Sequence, residues 1–129
     1  MSGPFIFIGS YTVQQGKVEQ VRKALQGLVE IVETNEPRLI AFNIYLDEEG
    51  NKVSVVQIHP DAASMGFHMK LVADHISGAF EYFEKSLGVQ IYGAPEKGIV
   101  DMIREMSEAG TPMTIMPIHE AGFTRTNAG

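Results

Sequence analysis

The sequence predicts a single α+β domain. Short runs rich in β-branched and aromatic residues alternate with segments whose apolar residues recur every three or four positions. The resulting order is strand, helix, strand, strand, helix, strand. The chain has 129 residues, of which 44% are hydrophobic and 20% are charged, as in ordinary globular domains. The order of the elements therefore predicts the fold class more specifically than the composition does.

The first part of this pattern is a strand followed by a long helix. Residues 5–13, FIFIGSYTV, are rich in β-branched and aromatic side chains and predict the first strand. After Gly16, apolar residues recur at helical spacing until Pro37, which ends the helix. The apolar positions of this helix are Val18, Val21, Leu25, Leu28, Val29 and Val32.

The second part is a hairpin followed by a helix and a strand. Residues 38–46 and 52–59 are apolar runs joined by the turn sequence DEEGN, which predicts an antiparallel pair of strands. From Asp61 to about Leu87, apolar residues recur at helical spacing and predict the second helix, which Gly78 and the Asp74–His75 region could break or bend. Residues 88–93, GVQIYG, predict the fourth strand.

This order of elements matches the ferredoxin-like plan, a four-stranded antiparallel sheet with both helices on one face. The hairpin strands are apolar on both sides, whereas helices on one face can cover only one side. The other side needs a partner sheet. We therefore expect a homodimer that packs sheet face against sheet face as a dimeric α/β barrel.

The chain continues beyond this core. Residues 95–110 predict a short amphipathic helix, and residues 111–123 predict an extra strand that Pro117 confines to a sheet edge. We expect this strand to be exchanged or docked at the dimer edge. The single domain, residues 1–129, then has three parts: a ferredoxin-like core at 1–93, a helix–strand extension at 94–123 and a tail at 124–129, of which we expect the last four residues, TNAG, to be disordered.

Charge and residue content exclude several classes of protein. The net charge is −6 and the ten basic residues are scattered, which argues against binding nucleic-acid phosphates. The absence of cysteine excludes disulfides and thiolate metal sites. The N-terminus lacks the basic region of a signal peptide, and no segment approaches the ~20 apolar residues of a membrane span. We expect a cytoplasmic protein that binds neither nucleic acid nor membranes.

The junction between the third strand and the second helix resembles that of the antibiotic biosynthesis monooxygenase-like proteins. Members often carry there an acidic or amide residue, an aromatic residue two places on, an acidic residue two further, an alanine pair and then a histidine. This chain reads QIHPDAASMGFH, and the resemblance covers roughly residues 5–93. The matching positions are Gln57, His59, Asp61, Ala62, Ala63 and His68.

The resemblance implies a dimer of ferredoxin-like α+β subunits, each with a pocket between its sheet and its helices. Some members of the family oxidise aromatic polyketides with molecular oxygen and no cofactor, and relatives degrade haem. Both use a tryptophan in the site, and these relatives place an asparagine in the first strand. This chain has no tryptophan, and residues 5–13 contain no asparagine. Haem degradation is therefore not expected, and we expect no cofactor.

Three of the four histidines lie in residues 57–76. At 100° per residue, His68 and His75 fall on the shoulder of the apolar helix stripe, where a histidine can either reach a pocket or simply pack. The family match makes His68 the candidate catalytic base, because a neutral imidazole suits proton removal from a phenol or enol. His75 is a candidate substrate-binding residue. Residues seven apart lie about 10.5 Å apart along a helix, so we expect no metal site.

The hairpin strands supply further candidate substrate-binding residues, which could hold the resulting anion: Asn43, Tyr45, Gln57 and His59. Pairing Asp47 with Lys52 across the turn puts Phe42 opposite Gln57. Asn43 and Tyr45 then lie on one face of the sheet, and Gln57 and His59 lie on the other. Only one of these pairs can face the helices. We predict that Gln57 and His59 line one pocket together with His68.

Two functions remain open. The first is a cofactor-free oxygenase, or a similar small enzyme, that acts on an aromatic or enolic metabolite with His68 as the base. The second is a non-catalytic dimer that binds a small apolar or aromatic ligand or a partner protein. Seven methionines suit an adaptable apolar surface, although plain core filling explains them too. The missing tryptophan favours the second function, and the matched histidine favours the first.

Overall fold

The computed structural model describes residues 3–73, 81–107 and 109–125. Within these ranges it contains one mixed five-stranded sheet and three helices. The elements are β1 (Phe5–Val13), α1 (Val18–Asn35), β2 (Ala41–Leu46), β3 (Lys52–His59), α2 (Ala62–Val72), β4 (Phe83–Tyr92), α3 (Lys97–Met106) and β5 (Met113–Met116).

The sheet has the strand order β2–β3–β1–β4–β5. The pairings β2–β3, β3–β1 and β1–β4 are antiparallel, and these four strands form the predicted ferredoxin-like core. The predicted hairpin register is confirmed, because the backbone N–H of Asp47 donates to the carbonyl of Lys52 and Phe42 pairs with Gln57. Gly50 completes this turn with a φ of 73°, a backbone conformation that favours glycine.

The hydrophobic core lies between the sheet and the three helices. One cluster packs Phe5 and Phe7 of β1 against Met65 and Met69 of α2 and Ile103 of α3. A second cluster packs the buried face of α1 against the other end of the sheet; its buried members are Val13, Val21, Leu25, Leu28, Val32, Val53 and Val72. All three helices therefore cover the same face of the sheet.

The opposite face of the sheet has no covering element in the described part of the chain. Its central side chains, Ile6, Ile8, Val56 and Ile58, are only partly buried, and Tyr45 is 60% exposed. This is the apolar face for which the sequence predicts a partner sheet, and we call it the open face.

The boundary between α2 and β4 differs from the sequence prediction. The helical spacing extends to about Leu87, with a break or bend expected at Asp74–His75 and Gly78. In the structure α2 ends at Val72, just before that region, and β4 already begins at Phe83. Two register shifts along the β1–β4 pairing break the alternation that would mark a strand, so the period-two pattern is hidden in the sequence. Residues 74–80, including His75, lie outside the described residues.

The C-terminal extension forms the predicted helix and strand. Helix α3 leads to β5, which pairs in parallel with β4 of the same chain, with Val89 opposite Met113. The strand therefore docks on the edge of its own sheet, and Pro117 follows directly after it. Residues 126–129 of the expected tail lie outside the described residues.

Candidate active site

A cavity of about 70 Å³ lies between the sheet and the helices. Its lining is mostly apolar, with Gln57 and His68 among the few polar members, as in small-molecule sites. Met106, at the end of α3, also lines it and is 49% exposed, so the cavity borders the surface there. The other lining residues are Phe7, Tyr11, Leu25, Leu28, Phe42, Val55, Met69, Val72, Phe83, Val89, Ile103 and Ser107.

His68, which lines this cavity, belongs to a buried histidine–glutamate pair. Nδ1 of His68 lies 2.6 Å from Oε2 of Glu36, and the side-chain exposures are 4% and 3%. The flanking residues Met65 and Met69 are in the core, so α2 must turn His68 inward as well. Glu36 directly follows α1 and lies before Pro37, where the chain turns toward the sheet.

A second histidine lies behind the first. The rings of His59 and His68 are 5.8 Å apart and nearly perpendicular. Nδ1 of His59 lies 2.7 Å from the hydroxyl oxygen of Ser64, and its Nε2 lies 2.9 Å from Oε1 of Gln57. His59 is 0% exposed. Both ring nitrogens are therefore engaged, whereas His68 has only Nδ1 bonded within the described residues.

The start of α2 holds this cluster in place. Asp61 caps the helix by accepting the backbone N–H of Ser64 at 2.9 Å. Arg38 pairs with the same carboxylate from outside. The N–H of Ser64 and the Arg38 guanidinium keep the pKa of Asp61 below its ordinary value. The cap fixes the position of Ser64, and thereby the ring of His59.

Burial keeps both imidazoles neutral near pH 7. It lowers the pKa of His59 to about 3, with a further contribution from nearby His68. It also lowers the pKa of His68, against the opposing effect of the Glu36 carboxylate. Burial raises the pKa of Tyr11 to about 12, so this phenol keeps its proton. The cavity thus presents polar groups that are neutral at pH 7.

The structure separates the candidate residues into two sets. Gln57 and His68 line the cavity, and His59 lies behind them, bonded to Gln57. Asn43 and Tyr45 lie on the other side of the sheet, because their strand positions alternate with that of Phe42. His75 lies outside the described residues.

Two members of the cluster were not among the sequence candidates. Glu36 meets His68 across 32 positions of sequence, and no local spacing signals that contact. Ser64 could have been found, because it follows the capping residue Asp61 by three positions and His59 by five.

Two further features bear on the class of protein. Among the residues that the structure describes, no group of three or more histidine, aspartate or glutamate side chains could hold a metal ion. None of the helices in those ranges has the length and apolar character needed to cross a membrane.

No family model matches the sequence, and no curated protein matches it either. Solved structures do match. MupZ from Pseudomonas fluorescens superposes with a TM-score of 0.72 at 15% identity, over 97% of this chain and 91% of that chain. At that coverage, the match also includes the C-terminal extension.

Further matches carry the name that the sequence resemblance suggested. Structures from Caulobacter crescentus CB15 and Nitrosomonas europaea are both provisionally named antibiotic biosynthesis monooxygenases. Their TM-scores are 0.63 and 0.62, each at 15% identity, over 74% and 73% of this chain and 92% of each of those chains. The chain therefore has the ferredoxin-like α+β fold of structures that bear this name, and the resemblance first noted at residues 57–68 is confirmed for the fold.

Proposed function

We propose that the cavity is the active site of a small oxidoreductase that oxidises an aromatic or enolic substrate with molecular oxygen. The observation that carries this proposal is that His68 lines the cavity and is bonded to the buried carboxylate of Glu36 behind it. The shared fold with structures named antibiotic biosynthesis monooxygenases supports the reaction class.

His68 is the base in this proposal. With the Glu36 carboxylate as acceptor, Nδ1 of His68 carries the proton and donates it to that hydrogen bond. Nε2 then holds the lone pair that takes a proton from the substrate hydroxyl. The carboxylate fixes this tautomer and stabilises the imidazolium that forms, as the acidic member of a catalytic triad does.

Removal of the proton turns the substrate into an electron-rich enolate or phenolate that can itself reduce oxygen. For a substrate with an activated methylene group, the balanced reaction is CH2 + O2 → C=O + H2O. The methylene carbon is oxidised, one oxygen atom enters the carbonyl group, and the other leaves as water. All four electrons come from the substrate, so the proposal needs no cofactor.

The cavity restricts the class of substrate. Its volume of about 70 Å³ is roughly half that of an engineered cavity of about 150 Å³ that binds benzene. A one-ring substrate therefore already requires the cavity to enlarge, for example by displacement of the exposed Met106, and a three-ring substrate requires a larger displacement. Since the pKa of His68 is lowered, acidic enols and phenols are better substrates than weakly acidic ones.

Oxygen uptake tests this function. A panel of hydroxyanthrones, hydroquinones and enols is offered to the wild type without added metal or flavin. We expect uptake with at least one acidic member, and a loss of about 100-fold or more in His68→Ala, because general bases contribute roughly 10² to 10⁴ in rate. Glu36→Gln should lose activity in the same direction.

The matched control is His119→Ala, because His119 is exposed and lies outside the cavity. It should oxidise the same substrates at the wild-type rate. Uptake that His68→Ala leaves unchanged would contradict the proposal.

The second function is ligand binding without catalysis, and the mostly apolar cavity lining favours it. Catalysis by His68 gives a rate that rises as this imidazole loses its proton, whereas binding of an apolar ligand is nearly independent of pH. Both functions share a homodimer, which we propose to form through the open face.

A further inference from the structure

We propose that Ser64 and His59 fix the amide of Gln57 so that its NH2 group faces the cavity, and that the site therefore binds its ligand through an oxygen acceptor. His59 is then a positioning residue. This inference rests on the proposed function, since it names the chemistry that the same cavity recognises.

The three side chains form a relay with two possible polarities. In the first, the Ser64 hydroxyl donates to Nδ1 of His59, and the Nε2–H of His59 donates to Oε1 of Gln57. In the second, every bond is reversed, and the Gln57 amide turns its oxygen toward the cavity. The distances of 2.7 and 2.9 Å suit both polarities.

Ser64 decides between them. Ser64 is 3% exposed, and the only hydrogen-bond partner of its hydroxyl among the described residues is His59. In the second polarity that hydroxyl would accept from His59, and its own proton would be buried with no acceptor in the described part of the chain. An unsatisfied buried donor is costly, so the first polarity is favoured.

The favoured polarity leaves one donor for a ligand. Oε1 of Gln57 accepts a hydrogen bond from His59, and the amide NH2 group has no hydrogen-bond partner within the described ranges. Gln57 and His68 line the same cavity, and neither lysine nor arginine is among the described residues that line it. An uncharged ligand can therefore lose a proton to His68 and hold its new negative oxygen against the Gln57 N–H groups. A ligand that enters as a carboxylate would meet no cationic side chain there.

The polarity of the relay can be measured without any ligand. Nitrogen NMR on the full chain with labelled histidine distinguishes an imidazole protonated at Nε2 from one protonated at Nδ1. We expect His59 to carry its proton on Nε2, and Ser64→Ala to shift part of the population to Nδ1–H. The backbone N–H bond to Asp61 remains in that variant. A wild-type His59 protonated at Nδ1 would overturn the proposal.

The donor role of Gln57 is tested with 4-nitrophenol as a probe. Gln57→Glu keeps the acceptor for His59 but removes the N–H groups, so we expect at least tenfold weaker binding of the nitrophenolate. Gln90→Glu is the matched control, because Gln90 is exposed on β4 and does not line the cavity. Equal binding by the wild type and Gln57→Glu would refute the donor role.

The oxidation proposal and the relay proposal can be refuted independently of each other. If His59 is protonated at Nε2 and Gln57→Glu weakens the probe, the relay stands even when no member of the panel is oxidised. If oxygen uptake requires His68 but His59 is protonated at Nδ1, the oxidation stands and the relay is wrong.

Discussion

His59 and His68 lie in the same buried cluster, yet their hydrogen bonds give them different chemistry. Both nitrogens of His59 are bonded to neutral partners, Ser64 and Gln57, which hold the ring as a neutral imidazole. His68 is bonded to a carboxylate through one nitrogen only. A proton that reaches His68 is therefore stabilised by Glu36, whereas a proton on His59 would break the relay.

The lowered pKa of His59 makes the stability of the fold depend on pH. Its pKa is about 3 in the folded chain and near 6.5 when unfolded. As the pH falls below 6.5, the unfolded chain binds a proton that the folded chain does not. The free energy of unfolding therefore falls by about 1.4 kcal/mol per pH unit between these two values. Above pH 6.5 the contribution is constant.

Urea unfolding at pH 7 and pH 5 checks this prediction. Replacement of His59 by Gln removes the titrating group, so the loss of stability between the two pH values should shrink by about 2 kcal/mol relative to the wild type. His119→Gln, at an exposed position, should keep the full loss. The idea fails if His59→Gln loses as much stability as the wild type over this interval.

For individual residues, the sequence predicts which sheet face a side chain occupies, because successive side chains along a strand point to opposite faces. Gln57 and His59 are two residues apart on a strand, so they had to share a face, and the turn between Asp47 and Lys52 set their register. Glu36 could not be predicted, because its contact with His68 depends on how the end of α1 docks near α2. The periodic pattern of apolar residues in the sequence does not predict how these two helices pack.

Three helices position the cavity, and each does so through a different part of its length. Helix α1 ends immediately before Glu36, α2 carries His68 along its buried face, and the last turn of α3 brings Met106 to the cavity wall. The extension is therefore part of the site as well as of the sheet, since Ile103 of α3 both packs in the core and lines the cavity.

The strand and helix patterns of the core were readable because they follow simple periods. Strands β1 and β3 have the expected bounds, and α1 falls between Gly16 and Pro37. The start of β4 was missed because its register shifts place successive side chains irregularly against β1. Phe83 continues the helical spacing of the apolar residues in the sequence, yet it is the first residue of β4.

For the whole molecule, the open face accounts for the proposed dimer. Its central residues Ile8 and Val56 pair across β1 and β3 on the side away from the helices, where they are only partly buried. Apolar surface of this kind is characteristic of an interface between proteins. A second copy of the chain would supply the missing layer.

Light scattering at micromolar concentration tests the dimer. We expect a mass of twice the 14.2 kDa of one chain. Val56→Lys should give a monomer, because it places a charge in the middle of the contact. Gln26→Lys, on the exposed side of α1, should remain dimeric. A monomeric wild type would show that the open face is not a self-association surface.

The ionisation of a phenol bound in the cavity shows directly whether His68 acts as a base there. 4-Nitrophenol and its phenolate absorb at different wavelengths, so a titration of the bound probe reports which form the site holds. We expect phenolate in the wild type at pH values below the midpoint of the free probe, and the neutral phenol in His68→Ala. The same ionisation of the probe in both proteins would contradict a catalytic base at His68.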